Sequence, residues 1–206
     1  MVKQQKPSEY SMKNIVSMIL LALVVLAGSS GCAHSDGPYK GKVVELDTGK
    51  PIEGAVVAGQ WTIEPYVHSE RICDTKETIT DKNGEFELPK GSCWAHPFAI
   101  QSKPWVVVFK PGYLGYPPLG ASQEDRKAQM PTFTGREFKD KKQYNTIRLG
   151  RPKMRTEREF TVSHAEGLFH DNDIFGKLPN LLRLVNEESR TLGIGKIGPS
   201  DNGGHK

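Results

Sequence analysis

Few side chains in this chain have the type and spacing for covalent or metal chemistry. Its three cysteines stand at Cys32, Cys73 and Cys93. A bridge between Cys73 and Cys93 would close a loop of about 20 residues and add about 3 kcal/mol by restricting the unfolded chain. The alternative is two buried thiols. A metal site on these cysteines would need further ligands, and His96 is the histidine close by. The stretch "HAEGLFHDND" gathers His164, Glu166, His170, Asp171 and Asp173. Its histidines lack the spacing that sets two imidazoles on one helix face for zinc, so it reads as a solvated loop leading into a helix. "DKNGEFE" has Asn83 and Glu85 where a calcium loop needs alternating acids, and no distal acid closes an oxygen shell, so it reads as a turn. Ser92 lacks the Gly-x-Ser-x-Gly elbow that exposes a nucleophile. No catalytic residue, metal or cofactor is expected.

Binding chemistry has more to work with. Trp61, Tyr66, Trp94, Trp105, Tyr113 and Tyr116 are more large rings than a small core must hold. Trp105 sits in a strongly apolar run and is expected in the core. Trp94 and Tyr116 border loops, which makes them the candidate ligand-binding residues, able to stack on a sugar ring. Packing in the core or at its edge is the competing reading.

The compartment is written at the front. Residues 15–27, "IVSMILLALVVLA", form an uncharged run of 13 residues. As a helix it reaches roughly 20 Å, short of the roughly 30 Å hydrocarbon core of a bilayer. That length suits a signal-peptide apolar region, with Lys3, Lys6 and Lys13 as its positive flank. Met12 is a plausible alternative start to Met1. Small residues follow, Gly28, Ser29, Ser30 and Gly31, and then Cys32. This resembles a bacterial lipobox, with Ser30 and Gly31 at the two positions before the cysteine and Ser29 where leucine is usual. The resemblance implies removal of 1–31 and acylation of Cys32, with enough acyl chains for stable bilayer attachment. Ala33 rather than aspartate after the cysteine implies the outer membrane. Ordinary cleavage near Ala33 and an uncleaved anchor are the alternatives. In each case the body lies in an oxidising compartment, which favours the Cys73–Cys93 disulfide.

Removing 1–31 leaves 175 residues, room for one ordinary domain with extensions. The net charge of +4 falls to +2, because the removed segment carries three lysines and one glutamate. Nothing in that balance calls for a nucleic-acid partner.

Residues 32–38 read as a short tether. "YKGKVVEL" then alternates as a strand, "DTGKPIEG" turns, and "AVVAGQWTI" is a second strand. Residues 64–76 look irregular and polar. "ETITDKNGEFELP" predicts a hairpin about Asn83 and Gly84, with Phe86 and Leu88 on one face. "WVVVFKPGY" predicts a strand, 117–141 an ordered excursion or flap, and "QYNTIRLG" a last strand with Ile147 and Leu149 inward. Short, turn-rich strands argue for an all-β sandwich. Leu178, Leu181, Leu182 and Val185 then recur at helical spacing, with Pro179 to start and Gly193 to stop. The spacing predicts an amphipathic helix over 178–191, its stripe packed on the sandwich or used by a partner protein, and disorder over 194–206.

"GKVVELDTGKPIEGAVV", "TDKNGEFELP" and "FKPGY" occur in that order. Together they resemble the carboxypeptidase regulatory-like domain, a seven-stranded transthyretin-like β-sandwich. The matching residues are Gly41, Thr48, Gly49, Pro51, Ile52, Gly54, Ala55, Thr80, Asp81, Gly84, Phe86, Gly112 and Tyr113. The resemblance covers about 39–150 and leaves an extension over 151–193. It implies a non-catalytic accessory module, here a structural or protein-interaction lipoprotein of the bacterial cell envelope, facing the periplasm or surface. The alternative is a carbohydrate- or peptide-binding lipoprotein. Expected partners are the lipid bilayer, through acylated Cys32, and an envelope protein.

Overall fold

Alternating apolar and polar side chains need a sheet with one dry face, and the centre of the molecule supplies two such faces. The structure is a computed structural model that describes residues 14–21, 32–64, 71–95, 100–129, 144–169, 174 and 176–198. β2 (Tyr39–Glu45) is the middle of a three-stranded sheet, antiparallel to β5 (Glu85–Leu88) and parallel to β9 (Asn145–Leu149). β3 (Val56–Glu64) is the spine of a four-stranded sheet, antiparallel to β4 (Arg71–Ile79), to the two-residue β7 (Ile100–Gln101) and to β8 (Trp105–Phe109). Tyr39, Val43, Phe86, Leu88, Ile147 and Leu149 from the first sheet pack against Val57, Trp61, Ile63, Val106 and Val108 from the second.

The second sheet is buried on both faces. Val56, Ala58, Val107 and Phe109 point away from the sandwich core into a second cluster. Two helices cover them, α3 (Arg155–Glu166) and α4 (Pro179–Leu192). Covering on both faces accounts for the unbroken apolar run of β8. The described chain therefore forms three layers: sheet, sheet and helices. A third, two-stranded sheet joins β1 (Cys32–Asp36) to β6 (Gly91–Ala95). Nine strands are formed among the described residues.

Several local expectations change. The tether expected over 32–38 is largely strand, because "CAHSD" is recruited by the open edge of β6 despite having no strand pattern of its own. The hairpin expected about Asn83 and Gly84 is a corner. Its turn forms, with Asp81 Oδ1 accepting the N–H of Asn83 at 2.9 Å and of Glu85 at 2.8 Å. Gly84 has φ 74°, and a Cβ there would stand 2.4 Å from the Val43 carbonyl oxygen. Its flanks part, however: β4 pairs with β3 and β5 with β2, so the turn carries the chain from one sheet to the other. In the polar segment 64–76, residues from Arg71 onward belong to β4. Among the described residues one edge of β4 is left unpaired, so its sequence needs no strict alternation. Residues 65–70 lie outside the described residues.

Of the two covering helices, the sequence predicts one. α4 begins with Pro179 and stops at Gly193, whose φ is 68°. α3 replaces the loop expected around His164, and it is hidden in sequence because Thr161, Val162 and Ala165 are its few small buried contacts. The excursion over 117–141 contains the short α2 (Gln123–Gln129), and residues 130–143 lie outside the described residues. The segment after α4, expected to be disordered, stays docked as far as described. Ile197 is buried; its N–H donates to Asn186 Oδ1 at 2.7 Å, and its carbonyl accepts from Asn186 Nδ2 at 2.9 Å. Residues 199–206 lie outside the described residues. At the front, α1 (14–21) is exposed along its whole length. Among the described residues no helix is long and apolar enough to cross a membrane.

Candidate functional site

Cys32 opens β1, and its Cα partner across the ribbon is Ala95 of β6. Three ties fasten β6 of the ribbon to the sandwich, and the Tyr39 hydroxyl, donating to Asp36 Oδ2, adds one at β1. The first is the disulfide between Cys73 and Cys93, with Cα atoms 5.3 Å apart. β4 shifts register against β3 at Trp61/Thr62, where Trp61 pairs with Asp74 and Thr62 with Ile72. Cys73 is the extra residue of that bulge, and the bulge brings its sulfur to β6. The second is Asp74, whose Oδ2 accepts the Ser92 N–H at 2.8 Å while Oδ1 accepts the Thr75 N–H at 2.8 Å. The third is Gly91, where a Cβ would come within 2.2 Å of the buried Trp61 ring. Only glycine lets β6 lie this close. Asp74 and Gly91 were missed in sequence; an isolated glycine opening a strand was the one available signal.

The two candidate ligand rings do not share a site. Trp94 is 69% exposed on the ribbon, with Ala33 as its Cα partner. Tyr116 packs against the sandwich core beside Val108 and exchanges two backbone hydrogen bonds with it, at 3.0 and 2.9 Å. Burial pushes its phenol above the usual tyrosine range. Val108 pairs with Val57, whereas the ribbon meets β3 near Trp61, four residues or about 13 Å further along the strand. Trp105, expected in the core, is 41% exposed. It begins β8 on the helix-covered face, two residues before the buried Val107.

Charged groups elsewhere are latches. Glu45 takes a hydrogen bond from Thr48 at 2.6 Å and from Arg151 at 2.8 Å, and these hold its carboxyl below the usual range. Arg151 also lies 3.8 Å from the centroid of the Tyr113 ring. Lys153 reaches Asp125 at 2.9 Å, which lowers the carboxyl and raises the amine. Arg158 joins α3 to Glu188 of α4 at 2.6 Å, the glutamate being buried. Glu77 of β4 caps α4, accepting the N–H groups of Asn180 at 2.7 Å and Leu181 at 2.9 Å. An open groove between the β4 and β5 edges is lined by Lys40, Thr78, Asp81, Glu85, Glu87 and Tyr144. Its charges answer one another: Lys40 pairs with Glu87 at 3.0 Å, and Tyr144 donates to Glu85 at 3.1 Å.

Of the "HAEGLFHDND" residues, His164 and Glu166 fall on α3, while His170, Asp171 and Asp173 lie outside the described residues. Among the described residues no three histidine, cysteine, aspartate or glutamate side chains group to hold a metal ion. Ser92 is an exposed residue of β6 whose backbone is held by Asp74.

No protein-family profile matches the chain, and no curated protein matches it either. Among solved structures, the chain is similar to a 9R-lipoxygenase from Cyanothece, with 12% identity and a TM-score of 0.25. The match covers 90% of this chain and 32% of that one, and so weak a likeness carries no argument about fold or activity.

Proposed function

We propose that the chain is a bacterial envelope lipoprotein, acylated at Cys32, whose body is a non-catalytic β-sandwich module for a structural or protein-interaction role. The observation that carries this reading is the sequence before Cys32: a positive flank, a short uncharged run and a small-residue approach to the cysteine. Two features agree with it. The Cys73–Cys93 disulfide suits an oxidising compartment. The apolar side chains of α1, among them Met18 and Leu21, are exposed, as suits a segment that is removed.

The fold within this reading is the transthyretin-like one. Seven strands, β2–β6 with β8 and β9, line the sandwich core, and β1 and β7 are additions at its edge. The motif residues hold the corners such a sandwich needs. Thr80 Oγ1 accepts from the Ala55 N–H at 2.9 Å and donates to the Ile52 carbonyl at 2.7 Å, joining the two turns. The carbohydrate-stacking alternative rests on Trp94, because Tyr116 is partly buried against the sandwich core.

The intact mass of the mature protein from bacterial membranes tests the reading. A chain starting at Cys32 with added acyl mass is the expected result. An unmodified chain starting after Ala33 would remove the membrane attachment. Replacing Cys32 by serine should move the protein out of the membrane fraction.

A further inference from the structure

We infer that the end of the sandwich bearing Cys32 lies on the phospholipid surface, with Trp94 seated at the boundary between headgroups and acyl chains. The inference rests on acylation of Cys32 and adds what that anchor does to the body of the protein. An acylated cysteine holds its own backbone at the headgroup level. A flexible tether would leave the body free to tumble, but Cys32 is already a strand residue. Trp94 lies across from Ala33, one residue from Cys32, which sets its Cα within roughly 6 Å of the Cys32 Cα. β6 is held to the sandwich by the disulfide, the Asp74–Ser92 bond and the Gly91–Trp61 contact. The lipid therefore orients the body and does not merely retain it.

The two ends of the sandwich differ in the way this requires. β6 runs from Trp61 past Cys73, toward the end where β3 finishes and β4 begins. There Ile72, 48% exposed, pairs with Thr62, and exposed Arg71 pairs with Ile63. Trp105, the first residue of β8, pairs with Gln60. A tryptophan, an isoleucine and an arginine on one rim match the boundary, where an indole has an apolar body and a polar edge and a guanidinium meets phosphate. The opposite end, formed by the turns before β3 and after β4, exposes Asp47, Lys50, Glu53, Asp81, Lys82 and Asn83. That end suits water.

The test uses the protein purified from membranes, its acyl mass verified, in vesicles of phosphatidylethanolamine and phosphatidylglycerol. Tryptophan fluorescence is read with lipids brominated near the headgroup or near the chain end. Shallow labels should quench strongly and deep labels weakly, and Trp94→Phe should cut the lipid-dependent quenching by about twofold or more. Trp94 is exposed, so this substitution leaves the core intact. Acylated protein with no quenching, or with equal quenching in Trp94→Phe, would overturn the seating while the lipoprotein reading stands. Absence of acyl mass would overturn both.

Discussion

Glu77 lies on β4, yet it performs the capping of a helix 103 positions away. Its Oε1 accepts from the Asn180 N–H and from Asn180 Nδ2, both at 2.7 Å, and its Oε2 accepts from the Leu181 N–H at 2.9 Å. Leu178, at the N-cap of α4, supplies no side-chain cap. Glu77→Ala removes three charge-assisted bonds and the negative charge at the positive end of the helix. Such bonds contribute ~1.5–3 kcal/mol each when well shielded, and a helix cap ~1 kcal/mol. Glu77 is only part-buried and water can reach the freed N–H groups, so about 3 kcal/mol is expected for the whole change. For a body of this size that is a fall in Tm of roughly 6–12 °C. Glu77→Gln keeps the shape and one acceptor and should cost about 1 kcal/mol. Urea titration followed by circular dichroism at the helical band would read both variants. An Ala variant within about 0.5 kcal/mol of the parent, at unchanged m value, would refute the claim that β4 holds α4 by its end.

Three further outcomes are expected. Reducing the Cys73–Cys93 bridge, or replacing both cysteines by serine, should lower stability by about 3 kcal/mol from the loop it closes, read by calorimetry with and without reductant. A loss under about 1 kcal/mol would mean the ribbon is held without it. Tyr116→Ala should destabilise by about 3 kcal/mol and Trp94→Ala by under about 0.5, since one ring packs on the core and the other faces solvent; a reversed order in urea melts would contradict their placement. The Asp125–Lys153 latch should make stability pH-dependent at both extremes. The Asp125 carboxyl is lowered in the folded state, so its contribution is present above the ordinary aspartate value and lost as pH falls through the lowered one. The Lys153 amine is raised, so its contribution is present below the ordinary lysine value and lost as pH rises through the raised one. Asp125→Asn should flatten the acid limb of a urea-midpoint profile, and an unchanged limb would count against the latch.

Local chemistry was legible in the residues. Asp81 and Gly84 specify a turn because one carboxylate can bond two nearby N–H groups and one backbone position needs a positive φ. Pro179 and Gly193 bracket α4 for reasons intrinsic to each residue. Which strands the Asp81 turn joins was not legible, because a turn sets the direction of the chain and leaves open whether its flanks pair with each other. α3 is not legible because its few small buried contacts leave too little apolar stripe for helical spacing to show.

The same division holds at the candidate site. Sequence alone determined that a short uncharged run precedes Cys32 and that two further cysteines remain, since these depend only on composition and order. Tertiary structure decided that Cys32 begins a strand, that a bulge in β4 presents Cys73 to Cys93, and that Trp94 faces solvent while Tyr116 does not. Each of those depends on pairing between segments distant in the chain. Ring exposure depends on what packs above it, and strand formation in "CAHSD" on an edge supplied some 60 residues later.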